Sequence, residues 1–119
     1  MKLLAAIIVT SMLLSGCSMK QITFSTAMTT LVADWGQTRQ IAKDPINHSE
    51  GNLILGAHPQ ISQVDAYFGS IAVLLAATYP MVKESYAPWL YGGITILEGV
   101  VVGMNMRRGL HLNFEMFRF

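Results

Sequence analysis

Charged side chains are scarce in this chain of 119 residues. Asp, Glu, Lys and Arg make up 13% of the sequence, and the formal net charge is +1. Ordinary globular proteins contain about 25% charged residues. The low and balanced charge excludes a disordered acidic or basic tail, and it excludes a protein that binds nucleic acid through positive charge. It also leaves few charged groups to cover the surface of a water-soluble domain.

Cysteine and catalytic motifs are also largely missing. The single cysteine, Cys17, excludes an internal disulfide and a zinc site made of several cysteines. The three histidines lack the spacing of a metal-binding motif, and the pair His48 and Glu50 in a loop is better explained as ordinary loop residues. There is no nucleotide-binding or nucleophile-elbow motif. The sequence therefore predicts no enzyme, no catalytic residue, and no metal or cofactor site.

The N-terminus has the pattern of an export signal. Lys2 precedes an apolar run, Leu3 to Leu14, which has the length of a signal-peptide core and is too short to span a bilayer. The sequence Leu-Ser-Gly-Cys that ends at Cys17 resembles the lipobox of bacterial lipoproteins. The resemblance implies removal of residues 1–16 as a signal peptide and attachment of acyl chains such as palmitate to Cys17. The alternative is an uncut hydrophobic helix with an incidental cysteine.

Two long apolar runs follow in the second half of the chain. The run 64–82 has one charge, Asp65, at its start, and the run 88–106 has only Glu98. A helix of 19 residues is about 28 Å long, close to the thickness of a bilayer core. A short polar turn joins the runs, and Pro88 suits the first turn of a helix. The pattern predicts a helical hairpin across a membrane; the alternative is two buried helices of a soluble domain.

A third helix is predicted at 21–42. Its polar face and its apolar face are separated by the helical repeat. The polar face contains Thr23, Ala27, Thr30, Asp34 and Thr38, and the opposite face contains Phe24, Met28, Leu31, Val32 and Trp35. Its uncharged part is short for a span, so the helix either crosses a thinned bilayer or lies at its surface. Residues 17–119 thus form one all-α membrane domain, ending in a short amphipathic tail at 110–119.

The positive charges give the predicted orientation. Arg39, Lys43, Arg107 and Arg108 lie on the same side of the membrane if the chain crosses three times after cleavage or four times without it. The positive-inside rule makes this side cytoplasmic. Spanning helices favour the inner membrane, whereas lipoprotein sorting rules for Ser18, beside the lipidated cysteine, favour the outer membrane.

Polar residues inside the predicted spans form the candidate site. A charged Glu98 near the middle of its run costs about 3 kcal/mol on insertion. Tyr91, Glu98 and Asn105 are spaced by seven residues and share a face. Asp34 and Thr38 form a second polar pair. We expect the two faces to meet inside the bundle, either as a proton, ion or small-ligand site or as a polar clasp that fixes helix packing.

Glycines form a separate stripe on the last predicted helix. Gly92, Gly99 and Gly103 follow a helical repeat, and the last two make a G-x-x-x-G motif. Such residues let membrane helices approach closely. They predict helix packing, either against Ala72 and Ala76 within the hairpin or between copies of the chain.

The spacing of several polar residues carries a second resemblance. Asp34 and Thr38 form D-x-x-x-T, and Glu50 opens E-G-N ahead of the hairpin. Residues 34–105 are similar in this pattern to small uncharacterised bacterial and phage membrane proteins, although Leu53 stands where that pattern has proline. That family has no assigned activity, so the resemblance implies only the fold and the polar cluster.

These observations predict a small lipid-anchored helical membrane protein of the bacterial envelope or of a phage, with a structural or accessory role. Its expected partners are membrane lipid and a second copy or another membrane protein, but not nucleic acid. One alternative is a holin-like oligomer that opens the bilayer. Another is an outer-membrane lipoprotein with a compact soluble helical domain.

Overall fold

The computed structural model describes residues 18–48, 50, 53–110, 112 and 117. This part of the chain contains three α-helices: α1 at Met19–Lys43, α2 at Ile61–Thr78 and α3 at Ala87–Arg107. A short 3-10 helix, Tyr79–Met81, extends α2. The described residues contain no strand, which confirms the all-α prediction. The predicted signal peptide, Cys17 and most of the predicted C-terminal tail lie outside the described residues.

The first two helices begin earlier than predicted because side chains cap their first turns. At α1, the Ser18 hydroxyl accepts from the backbone N–H of Gln21 at 3.2 Å, and the Gln21 side chain accepts from Ser18 N at 2.9 Å. At α2, the Gln63 side chain accepts from the backbone N–H of Gln60 at 2.9 Å. These caps satisfy N–H groups that lack partners within a helix. Pro88 lies in the first turn of α3, as predicted.

The first helix, α1, is the centre of the bundle. It packs extensively along α3 and less extensively along α2, whereas α2 and α3 have little direct contact although they form a hairpin-like pair. Trp35 near the end of α1 reaches Asp65 at the start of α2, so these two helices are antiparallel. Since α3 follows α2 through a short turn, α3 runs parallel to α1.

Two apolar clusters hold α1 to its neighbours. Leu31 packs with Val64 and Phe68 of α2. Ala27 packs with Ala87 and Tyr91 of α3. Residues of both stripes predicted for α1 are therefore buried, with Ala27 of the polar stripe against α3 and Leu31 of the apolar stripe against α2, while Val32 is exposed.

Aromatic residues occupy the end of the bundle where α1 begins. The Phe24 ring lies 4.7 Å from that of Tyr79 and 5.2 Å from that of Tyr91, measured between centroids. Tyr91 is completely buried against α1, on the α3 face that it shares with Glu98 and Asn105. Trp89, by contrast, is 83% exposed. The close approach of α1 displaces Tyr91 from the surface into the helix contact.

The outer faces of α2 and α3 are apolar. Ile61–Met81 and Ala87–Arg107 are both long and apolar enough to cross a membrane, and only 11% of the most apolar stretch of each is buried. Their large exposed side chains include Val73, Leu74, Trp89, Ile96, Leu97 and Val100. A core helix of a soluble protein would turn most of these side chains inward.

Candidate functional site

A cavity of about 360 Å³ lies beside the last turns of α3, at the end of the bundle where α1 also ends. Its polar lining consists of three carboxyl groups, an amide and a guanidinium, contributed by Asp34, Glu50, Glu98, Asn105 and Arg108. Its apolar lining comes from α2 and α3, namely Tyr67, Leu97, Val101 and Met104. The cavity thus combines an acidic interior with apolar walls.

Asp34 is the deepest acidic group of the cavity. It projects from α1 and is 7% exposed. The amide nitrogen Nδ2 of Asn105, on α3, lies 3.5 Å from Asp34 Oδ1, which is longer than the usual N–H···O distance of about 2.9 Å. The Glu98 carboxyl also interacts with that of Asp34. The structure therefore places Asp34, Glu98 and Asn105 at one position, where the polar faces of α1 and α3 meet.

Two oxygen atoms at this position have no hydrogen-bond partner within the described residues. They are Glu98 Oε2 and Thr38 Oγ1, and both atoms are buried. Thr38 follows Asp34 by one turn of α1. Because carboxylates repel one another strongly away from water, such a cluster favours a hydrogen-bond donor or a cation between its oxygens.

A second, smaller cavity of about 230 Å³ adjoins the first. Asn47, His48, Arg108 and Leu110 line it. Arg108 therefore lies between an acidic cavity and one that carries a histidine and an amide. The described residues contain no group of three or more His, Cys, Asp or Glu that could hold a metal ion.

A second ionic cluster joins α1 to α2, and the sequence did not predict it. Arg39, whose side chain is 2% exposed, donates hydrogen bonds to both carboxylate oxygens of Asp65. Trp35 Nε1 donates to Asp65 Oδ1 at 2.8 Å. The charge pattern predicts only that Arg39 lies on the cytoplasmic side. Trp35 and Arg39 lie one turn apart on α1, on the side that an antiparallel α2 covers. This spacing is the sequence feature that could have predicted the cluster.

The glycine stripe of α3 does not pack within the chain. A Cβ atom built on Gly92, Gly99 or Gly103 would meet no atom within 4 Å. The expectation that these glycines pack against Ala72 and Ala76 in the hairpin is therefore wrong, because α1 lies at the centre of the bundle and α3 turns the stripe outward. Association with another chain remains the prediction for this stripe.

Comparisons with protein families, curated proteins and solved structures find no match to this chain.

Proposed function

We propose that this chain is a small lipid-anchored helical membrane protein of the bacterial envelope, with a structural or accessory role exerted through helix packing. The observation that carries the proposal is the distribution of polarity in the bundle. Large apolar side chains cover the outside of α2 and α3, whereas the contacts with α1 bury polar and charged side chains beside the two apolar clusters. The buried polar residues are Lys20, Asp34, Gln37, Thr38, Arg39 and Asn105.

The exposure of so many large apolar side chains and the burial of charged ones differ from the distribution in a water-soluble domain. In a soluble domain charged residues are almost never fully buried, and large apolar side chains supply the core. In a bilayer, ionisable residues face the interior of the bundle and pair with one another. Arg39 and Asp65 are paired in this way. The low burial of α2 and α3 therefore favours acyl chains over water as their surroundings, and it disfavours the alternative of a compact soluble domain.

The first helix is proposed to span with the other two because it packs alongside both. Its polar hydroxyl groups do not prevent this. Thr23, Thr26, Thr29 and Thr30 each donate to a backbone carbonyl three or four residues earlier, at 2.8 to 3.2 Å. Hydroxyls that are bonded within their own helix leave no free donor facing lipid.

The arginines of the described residues lie at one end of the bundle. Arg39 is near the end of α1, and Arg107 and Arg108 are at the end of α3, which runs parallel to it. The positive-inside rule supports a cytoplasmic location for this end. The beginning of α1, next to the proposed lipid attachment at Cys17, is then on the opposite side, as a lipidated N-terminus requires.

The holin-like alternative rests on the open glycine stripe. Because a Cβ atom on Gly92, Gly99 or Gly103 would meet no atom of the described residues within 4 Å, these glycines leave a face on which a neighbouring helix could pack closely. An accessory protein uses such a face for one partner, and a holin uses it for many copies. Copurification with a fixed partner favours the accessory role, whereas growth arrest and large oligomers on induction favour the holin.

The decisive experiment removes the lipid without removing the helices. Cys17→Ser is produced behind an ordinary cleavable signal peptide, and the cells are fractionated. We expect the protein to remain in the membrane pellet after extraction at alkaline pH, because the helices hold it there. The wild-type chain with its own signal is the control. A soluble, folded, monomeric Cys17→Ser protein in the periplasm rejects the proposal.

A further inference from the structure

We propose that the two adjoining cavities bind the headgroup of a phospholipid that carries a primary ammonium group, such as phosphatidylethanolamine. The acidic cavity takes the ammonium group, and Arg108 with the second cavity takes the phosphate. This inference rests on the proposed membrane location and names a ligand for the polar cluster. Its size fits, since small-molecule sites have volumes of about 300–1,000 Å³ and the larger cavity measures about 360 Å³.

The acidic cavity is lined by three carboxyl groups, and its Asn105 and Arg108 donors leave buried oxygens unpaired. Asp34 is 7% exposed, and the nearest amide nitrogen, that of Asn105, lies 3.5 Å from its Oδ1. Glu98 Oε2 and the neighbouring Thr38 Oγ1 have no hydrogen-bond partner in the described part of the chain. A primary ammonium group has three N–H donors and one positive charge. It therefore supplies both the donors and the charge that these buried oxygens lack.

Arg108 provides the opposite charge at the right place. Its side chain lines both cavities, and it has no side-chain hydrogen bond or ion pair with other residues in 18–48, 50, 53–110, 112 and 117. A guanidinium matches a phosphate through two parallel hydrogen bonds. His48 lines the same second cavity and offers a further ring nitrogen. A headgroup in which the ammonium and the phosphate are a few bonds apart matches an acidic cavity that lies next to the Arg108 guanidinium.

The walls of the acidic cavity lead towards the acyl chains. Leu97, Val101 and Met104 are spaced by four and three residues, so they form one apolar wall of the cavity along a face of α3. All three are exposed on the outside of the bundle. Arg108 lies at the end of α3, which is the depth of the headgroup phosphates in the membrane proposed above, and the acidic cavity extends from it along α3 as far as Leu97. A soluble zwitterion has no acyl chains that would contact these apolar side chains, so we assign the site to a lipid.

The test measures which lipid the purified full-length protein retains. The chain is placed in nanodiscs that contain equal amounts of phosphatidylethanolamine, phosphatidylcholine and phosphatidylglycerol, extracted in mild detergent, and analysed by native mass spectrometry. Phosphatidylcholine has the same charges but no ammonium N–H, and phosphatidylglycerol has no ammonium group. We expect about tenfold preferential retention of phosphatidylethanolamine, which corresponds to about 1.4 kcal/mol.

Matched variants locate the site. Glu98→Gln and Arg108→Gln remove one charge each and are expected to abolish the preference. Arg107→Gln and Glu84→Gln remove the same charges from exposed residues that line neither cavity, and they are expected to leave the preference unchanged. Circular dichroism checks that every variant keeps its helices. Arg108 is exposed, so its substitution keeps the test valid even if Glu98→Gln does not fold.

Three outcomes overturn the inference. Equal retention of the three lipids does so, and so does a preference that survives both Glu98→Gln and Arg108→Gln. Displacement of the bound lipid by stoichiometric soluble phosphoethanolamine rejects the lipid as the source of the headgroup. Failure of the membrane proposal looks different, since the Cys17→Ser protein would then be soluble before any lipid is offered.

Discussion

Arg39 and Asp65 form an ion pair that fixes α1 against α2. The guanidinium donates to both carboxylate oxygens, and it is buried in the helix contact while the carboxylate is 30% exposed. Trp35 donates a further hydrogen bond to the same carboxylate. Because α2 has little direct contact with α3, this cluster and the apolar contacts around Phe68 hold α2 in the bundle.

Asp65→Ala is expected to destabilise the bundle by about 3 kcal/mol, because it leaves the Arg39 charge buried without a partner. The partial exposure of Asp65 places the cost at the low end of the range for buried pairs. The free energy of unfolding is measured in mixed micelles by titration with denaturing detergent. Trp35 fluorescence is expected to change in the same variant, since its indole loses its acceptor.

The double variant Arg39→Met with Asp65→Leu is the control for this prediction. It removes both charges, so it is expected to recover most of the stability that Asp65→Ala loses. A double variant as unstable as the single one contradicts the role of the pair. Glu84→Ala removes an exposed acid and is expected to change stability by less than about 0.5 kcal/mol.

The polar contact between α1 and α3 was predictable from sequence because it depends on local spacing. Seven-residue steps place Glu98 and Asn105 on one helical face, and an acid inside an apolar run must turn inward. Asp34 is the corresponding acid on α1. The structure brings these three residues together, although what they bind or do stays a proposal.

The Arg39–Asp65 pair and the outward position of the α3 glycines were not predictable in the same way. Both depend on which helix lies in the centre and on the register between helices, and hydrophobic periodicity within one helix determines neither. The sequence predicts a helical hairpin from two apolar runs and a short turn, which suggests that α2 and α3 pack on each other. Instead α1 packs on both, which buries Tyr91 and leaves the glycines of α3 facing outward.

Reporter fusions are expected to show both ends of α3 on opposite sides of the membrane. A reporter that is active only in the cytoplasm, fused after Phe119, should give signal, because Arg107 and Arg108 hold that end inside. The same reporter fused after Glu84, in the turn between α2 and α3, should be silent. A reporter active only in the periplasm should give the inverse pattern. Periplasmic activity after Phe119 would reject the three-span orientation.

Glu98→Leu is expected to leave membrane insertion intact or to improve it, because the variant removes an acid that costs about 3 kcal/mol inside a span. The same change should weaken the association of α3 with α1, since Asp34 and Asn105 lose the third member of their cluster. Insertion is measured as the membrane-integrated fraction, and helix association is measured as unfolding in detergent. Leu97→Ala, at the adjacent exposed position, is the control and should leave association unchanged. If Glu98→Leu associates as tightly as wild type, the acid plays no part in packing.

Substitutions in the glycine stripe distinguish contacts within the chain from contacts between chains. Gly99→Leu places a side chain in open space, so it is expected to leave the stability of the monomer unchanged or slightly raised, by about 1 kcal/mol from helix propensity. It is nevertheless expected to lower the yield of cross-linked oligomer or of copurified partner severalfold, because a large side chain prevents close helix approach.

Gly93→Leu and Gly69→Leu make that comparison specific. Gly93 also faces open space but lies off the stripe, so Gly93→Leu gains the same helix propensity and is expected to keep association. At Gly69 a Cβ would lie 3.9 Å from the Trp35 ring, so Gly69→Leu is expected to destabilise the α1–α2 contact itself. Loss of monomer stability in Gly99→Leu would show that the stripe packs inside the chain. Equal association of Gly99→Leu and Gly93→Leu would show that no other helix binds there.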